Sequence, residues 1–150
     1  MPEALSPDLS AAEVVRLLDL APHPEGGYYR ETYRDERADA NGRSVSTAIY
    51  FLLGAGDVSE WHRVDAAEVW HWYAGAPLVI TMSPNCHDAE ARHLGPHLRC
   101  GQRPQVAVPA GWWQTAVSLG AWTLVGCTVA PGFQFSGFEM APANWRPTPR

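Results

Sequence analysis

The sequence predicts an all-β domain, a sandwich or small barrel, entered through one short helix. Three observations carry this reading. From residue 28 to residue 140 short apolar or aromatic runs alternate with turn signals at regular spacing, the pattern of many short strands. Thirteen glycines and thirteen prolines supply turns, while seven Trp, five Tyr and four Phe supply side chains that suit a pleated, half-buried surface. Only one stretch has a helical period, so there are no crossover helices to build a parallel sheet.

The helix comes first. Ser10-Ala11-Ala12-Glu13 fits a capping box, with Ser10 as cap and Glu13 reaching back. Val14, Val15, Leu17 and Leu18 form its apolar stripe, and Pro22 and Pro24 are expected to end it. Pro24-Glu25-Gly26-Gly27 turns the chain into an aromatic strand, Tyr28 to Arg34. A polar stretch follows and closes on Asn41-Gly42, a turn dipeptide. Ser46 to Leu53 is a strong apolar strand. Ser59 to Val64 and Glu68 to Tyr73 flank Asp65-Ala66-Ala67, and Leu78 to Met82 follows Gly75-Ala76-Pro77. Residues 83–104 are polar and hold one or two weak strands. Gln105 to Val108 and Trp113 to Ser118 flank Pro109-Ala110-Gly111; Trp122 to Val129 is the last strong strand. Phe135 to Met140 adds an edge strand, and the tail from Pro142 is expected to be loose. The chain therefore reads as one domain, 1–150, with a core at about 12–140.

Composition narrows the function. Sixteen acids against eleven bases give a net charge of −5, so no nucleic-acid partner is expected. All eleven bases are arginine, which removes a Schiff-base, phosphate-loop or general-base lysine. No apolar run is long enough to span a membrane, and Met1-Pro2-Glu3 does not open a signal peptide. Cys86, Cys100 and Cys127 have no zinc spacing, and their odd number suits a reducing cytoplasm, the expected location. Cys127 is expected in the core, and His87, His93 and His97 in a solvated loop.

The chemistry-bearing segment is 56–75. Gly56 is followed after five residues by His62, then Val64, then Glu68, then Gly75. On strands, residues 62, 64 and 68 share a parity and can face one barrel interior. Farther on stands Pro109-x-Gly111-x-x-Gln114. These segments resemble the two motifs of the cupin superfamily. The flanks sharpen the likeness: His23-Pro24-Glu25-Gly26-Gly27-Tyr28-Tyr29-Arg30, Trp61-His62-Arg63-Val64, Glu68-Val69-Trp70-His71, Val108 to Gln114 and Gly126 to Phe133 occur in the order of the cupin-5 subfamily, a group of unknown function. The resemblance implies a cupin jelly roll (double-stranded β-helix) with one short N-terminal helix, and a homodimer.

In metal-holding cupins three His and one Glu meet on an ion. Here Val64 stands where the second His would be and Gln114 where the third would be. If a divalent metal binds, His62, Glu68 and Gln114 are its ligands, a set poor for zinc and short of the two-His, one-carboxylate requirement of non-haem iron. His71 should face the opposite side of its strand, and His23 could reach in from the N-terminal arm. The reading therefore expects no cofactor. A small-molecule ligand fills the barrel, with His62 as general acid or base, Glu68 as its orienting partner and Gln114 as a hydrogen-bond donor. Trp70 and Trp72 share the parity of Glu68 and point inward; with Tyr50 and Arg30 they complete the expected ligand contacts. The reaction class is an isomerase, epimerase or lyase acting on a small polar, carbohydrate-like substrate, by analogy with metal-free cupin epimerases. Two other readings stay open: a metabolite-binding module without chemistry, and a metal-dependent enzyme with a reduced ligand set. Each residue also has a plain alternative. His62 and Glu68 could be a buried polar pair, the tryptophans core, and Arg30 and Arg34 exposed strand residues.

Overall fold

A computed structural model describes residues 4–150; Met1 to Glu3, where a signal was sought, lie outside the described residues. Helix α1 spans Ala11–Leu18, and both hydrogen bonds of the Ser10/Glu13 capping box are present. It stops before the prolines expected to end it. Asp19 takes the left-handed conformation (φ 55°) and turns its N–H back onto the last carbonyls.

Eleven strands follow: β1 Ala21–Pro22, β2 Tyr28–Arg34, β3 Thr47–Gly54, β4 Val58–Val64, β5 Ala67–Gly75, β6 Leu78–Ser83, β7 Glu90–Leu94, β8 Gln105–Val108, β9 Trp113–Ser118, β10 Trp122–Ala130 and β11 Phe138–Met140. All pair antiparallel in two sheets, β1-β2-β3-β10-β5-β8 and β11-β4-β9-β6-β7. The polar stretch 83–104 yields one strand, β7, and a 3-10 turn at Leu98–Cys100.

The inner faces close on Phe51, Leu53, Trp70, Leu78, Ile80, Val108, Val125 and Cys127. A second cluster lies outside the larger sheet. There α1 lays Val14 over Leu52, Ala74, Trp122 and Leu124, and Trp122 Nε1 donates to Leu9 O at 2.6 Å. The tail, expected to be loose, is held in place. Trp145 packs on Trp61 and Trp113, with ring centroids 5.5 and 4.8 Å away, and Thr148 exchanges hydrogen bonds with Cys86 and His87. Large aromatic faces offset the ordering cost that the prolines and exposed polar residues suggested would go unmet.

The arm between α1 and β2 matters most for the site. It folds back so that Glu60 N donates to Glu25 O at 2.7 Å and His23 N to Gly27 O at 2.9 Å. Only glycine fits position 26: its φ is +105°, and a Cβ there would lie 2.1 Å from Val58 O. Gly26→Ala should cost about 2–4 kcal/mol of stability, because backbone rather than a flexible side chain must yield. Urea unfolding checks this; an unchanged midpoint would show that the arm is not seated on β4.

Candidate functional site

Three strands and the arm deliver the polar residues. β4 carries His62, β5 carries Glu68 and β9 carries Gln114, with His62 and Gln114 directly opposite in the β4–β9 ladder. The Pro109-Ala110-Gly111 turn aligns them: Gly111, at φ +80°, donates its N–H to Val64 O at 2.8 Å. The arm then adds His23 and Glu25. All five side chains are buried, and His62 and Gln114 are only 1% exposed. His23, Glu25, His62 and Glu68 line a cavity of about 330 Å³ together with Tyr29, Ile49, Phe133 and Phe135.

His62 is fixed by both ring nitrogens. Nδ1 lies 2.7 Å from Glu60 O; a carbonyl only accepts, so Nδ1 carries the hydrogen. Nε2, left with its lone pair, faces Glu25 Oε2 at 3.3 Å. His23 is the mirror case. Its Nδ1 accepts from Glu25 N at 3.1 Å and lies 3.3 Å from Glu25 Oε1. One carboxyl thus sits between two lone-pair nitrogens, an arrangement that is attractive only if the unit holds a proton. Burial supplies the reason. It pushes Glu25 up to about 8, against a smaller lowering by its hydrogen bond from Ser59. Burial also lowers His62, and lowers His23 to about 4 with His62 contributing. At neutral pH the proton therefore rests on Glu25.

Glu68 is the second carboxyl. Burial raises it to about 7, and the nearby Glu25 adds to the rise. Gln114 ties it to the core: Nε2 donates to Glu68 Oε1 at 2.9 Å, while Oε1 accepts from Trp70 Nε1 at 3.0 Å. The Cys127 thiol faces the same cavity, and burial pushes that thiol up.

The structure thus brings His62, Glu68 and Gln114 together as expected, but pairs His62 with Glu25. Glu68 acts on His62 through charge and is held by Gln114 instead. Trp70 and Trp72 do point inward, yet they pack into the core and not the cavity wall. Each step of two residues along β5 moves about 7 Å deeper, away from the mouth at Glu68. Tyr50 lies outside the barrel, edge-on to Tyr73, because the period of two that turns Ile49 and Phe51 inward turns it outward. Arg30 is also outside, with NH1 3.5 Å from Leu18 O and 3.7 Å from Asp19. Arg34, which unbroken parity would set on the same face as Arg30, instead lines the cavity. A bulge between Glu31 and Tyr33 shifts the register and reverses the parity of the rest of β2. His71 faces the other side, against Thr128, as its spacing requires.

Sequence reasoning missed Glu25. Gly26-Gly27 marks a close backbone approach, but nothing local announces that Glu25 is buried against β4.

Two packed antiparallel sheets with a polar centre at one end of the interior define a cupin barrel. The chain belongs to the cupin superfamily group DUF985, whose family model matches residues 12–141. It is similar to a crystallised Shewanella oneidensis protein at 40% identity and TM-score 0.85, over 89% of this chain and 85% of that one. A hypothetical protein from Leishmania major is 28% identical with TM-score 0.83, over 91% and 90%. Oxalate decarboxylase from Bacillus subtilis shares the fold at 14% identity and TM-score 0.62, over 82% of this chain and 30% of its own. No curated protein matches the chain.

Manganese(II) centres are described for that decarboxylase. The residues here do not supply the three-His, one-Glu set of metal-holding cupins. Val64 offers no donor, the Gln114 oxygen serves Trp70, the His23 Nδ1 lone pair accepts a backbone N–H, and both His62 nitrogens face protein groups. Among the described residues no three His, Cys, Asp or Glu side chains converge as a metal set. Nor is any described helix long and apolar enough to cross a membrane.

The buried acids set a pH dependence. Between about 4.5 and 8 Glu25 is protonated in the fold and ionised in the unfolded chain, so it destabilises the fold as pH rises. His23 acts oppositely, but only between about 4 and 6.5. Glu68 retains a second proton in the same sense up to about 7. Stability should therefore fall from pH 6.5 to 8, by up to about 1.4 kcal/mol per pH unit for each proton retained, with Glu25 alone contributing above about 7. Urea unfolding at pH 6.5, 7 and 8 checks the slope, and Glu25→Gln should flatten it between pH 7 and 8.

Proposed function

We propose that this cupin binds a small polar, carbohydrate-like molecule in its barrel and moves a proton on it, as an isomerase, epimerase or lyase. The observation that supports this is the Glu25 carboxyl, held between the lone-pair nitrogens of His23 and His62 in a cavity wall. Glu25 and Glu68 are two buried carboxyls of raised proton affinity in one cavity, held by different partners, a pairing that can divide acid from base.

Glu68 in its carboxylate form takes a proton from the carbon beside a substrate carbonyl. Glu25 gives its proton to the carbonyl oxygen, and the product is an enol. The enol then collapses by the reverse transfers, at the same carbon or its neighbour; in the lyase case it expels the group on the next carbon, which leaves as HX with the proton held by Glu68 while the enol hydrogen returns to Glu25. Protons are only moved between substrate, Glu68 and Glu25, so no oxidant or reductant is needed. His62 is the acid–base partner of Glu25: its Nε2 takes or returns the Glu25 proton while Nδ1 stays on Glu60 O. Gln114 orients Glu68.

The test is incubation of the protein with a panel of aldoses, ketoses and hydroxyketones in D₂O, followed by proton NMR. Deuterium should enter at the carbon beside the carbonyl of at least one of them. Glu68→Gln and His62→Gln should each slow that entry by about 10²–10⁴-fold while remaining folded. A sugar that binds and never exchanges would leave a metabolite-binding module.

A further inference from the structure

The cavity's charge inventory says more about what it takes in. Its ionisable lining comprises three carboxyls, Glu25, Glu31 and Glu68; two imidazoles, His23 and His62; the Cys127 thiol; and one guanidinium, Arg34. Arg34 is the sole cation of that lining, and it is already neutralised. Its NH2 donates to Glu31 Oε1 at 2.5 Å and its Nε to Glu31 Oε2 at 3.2 Å, a two-pronged pair, and NH2 also reaches Phe133 O at 3.3 Å. This pairing depends on the bulge in β2. In a regular strand residues 31 and 34 would point to opposite faces, whereas the register shift sets both at the cavity mouth. The floor offers no replacement cation, because both imidazoles lie against Glu25.

An anion entering this space would meet one cation already bonded to a carboxylate and two further carboxyls below it. Ionised, those carboxyls repel it; protonated, they leave it desolvated with no countercharge. The walls meanwhile suit a ring. Tyr29 and Phe133 line the cavity, and Phe135 lies over it, 4.9 Å from Phe133 and 6.3 Å from His23 between ring centroids, although it is 53% exposed.

We propose that the cavity takes ring-bearing small molecules that carry no negative charge, and that the Glu31–Arg34 pair at its mouth keeps anions out. Phosphorylated sugars, nucleotide sugars and small dicarboxylates are excluded as substrates; neutral cyclic hydroxy or carbonyl compounds are admitted. This rests on the small-molecule reading above and narrows its substrate class.

Benzamide and benzoate test it, since they share a ring and a shape and differ in charge. Titration of the isotope-labelled protein at pH 7, up to about 10 mM of each, is followed through the NMR signals of Tyr29, Phe133 and Phe135. Benzamide should shift all three, and benzoate should bind at least about tenfold more weakly. Phe135→Ala should weaken benzamide by about two- to tenfold. Glu31→Gln, a change at an exposed rim position, should free Arg34 and narrow the gap between the two probes. Benzoate binding as tightly as benzamide in the unaltered protein overturns the proposal, and so does the absence of any benzamide shift. Benzamide carries no exchangeable carbon-bound hydrogen, so the titration reads occupancy alone. Failure here leaves the deuterium experiment standing, and failure there leaves this one standing.

Discussion

Glu25 is a carboxyl set inside the wall of a barrel, where an ionised group would forfeit several kcal/mol of hydration. The site follows from how that cost is met. Ser59 supplies a hydroxyl, His23 and His62 supply lone pairs, and a proton supplies the rest. Glu25 and His23 meet Ser59 and His62, both on β4, only when the arm from residue 21 to residue 27 is held against that strand. Hence the two glycines at positive φ, the short β1–β2 pairing, and the helix that anchors the arm's start over Leu52 and Trp122. The local peculiarities of the N-terminal third are conditions for burying one acid.

The rest of the interior is graded in polarity. Deep in the barrel Trp70 closes the apolar core, and its indole N–H is satisfied by Gln114. Gln114 passes a hydrogen bond on to Glu68, and Glu68 feels the charge of Glu25 and His62. In metal-holding cupins an ion gathers imidazoles at this level. In this chain a histidine and a glutamate from the arm join His62 and Glu68, while Val64 and Gln114 stand where two of those imidazoles would be. A polar centre is kept with two fewer imidazoles on the strands.

Much of this was legible in the sequence. Apolar runs and period-two alternation bounded by turn signals located β2 to β6 and β8 to β10 within one or two residues; β3 and β10 are continuous apolar runs because α1 covers their outer face. The motif spacing brought out His62, Glu68 and Gln114. What could not be read was any feature depending on a register shift or a distant segment. Parity counted from Arg30 to Arg34 fails at the bulge after Glu31, which no residue type in Glu31-Thr32-Tyr33 announces. Parity placed Trp70 and Trp72 inside correctly but says nothing of depth along the barrel, so core residues looked like site residues. Glu25 lies 37 residues before His62, a distance at which strand periodicity carries no information. Trp145 shows the same limit at the other end, since a proline-rich tail reads as loose until the aromatic faces that receive it are known.

The polar centre is not what holds the barrel together, and that bears on its purpose. The core below it already buries Phe51, Leu53, Trp70, Leu78, Ile80 and Val125 almost completely. Buried ionisable sets are often neutral or unfavourable for stability when compared with apolar residues of the same volume. This set also makes the fold less stable as pH rises, because its acids are protonated only when folded. A sequence selected for stability alone would fill the mouth with valine and leucine, as it has already done at Val64 and Val129 on either side. Instead two carboxyls and two imidazoles are kept there, each with its hydrogen bonds satisfied, around a space large enough for a small ring. A set that burial disfavours, yet which is fixed by an arm, two glycines at positive φ and three strands, is the ground on which we propose a ligand for the cavity.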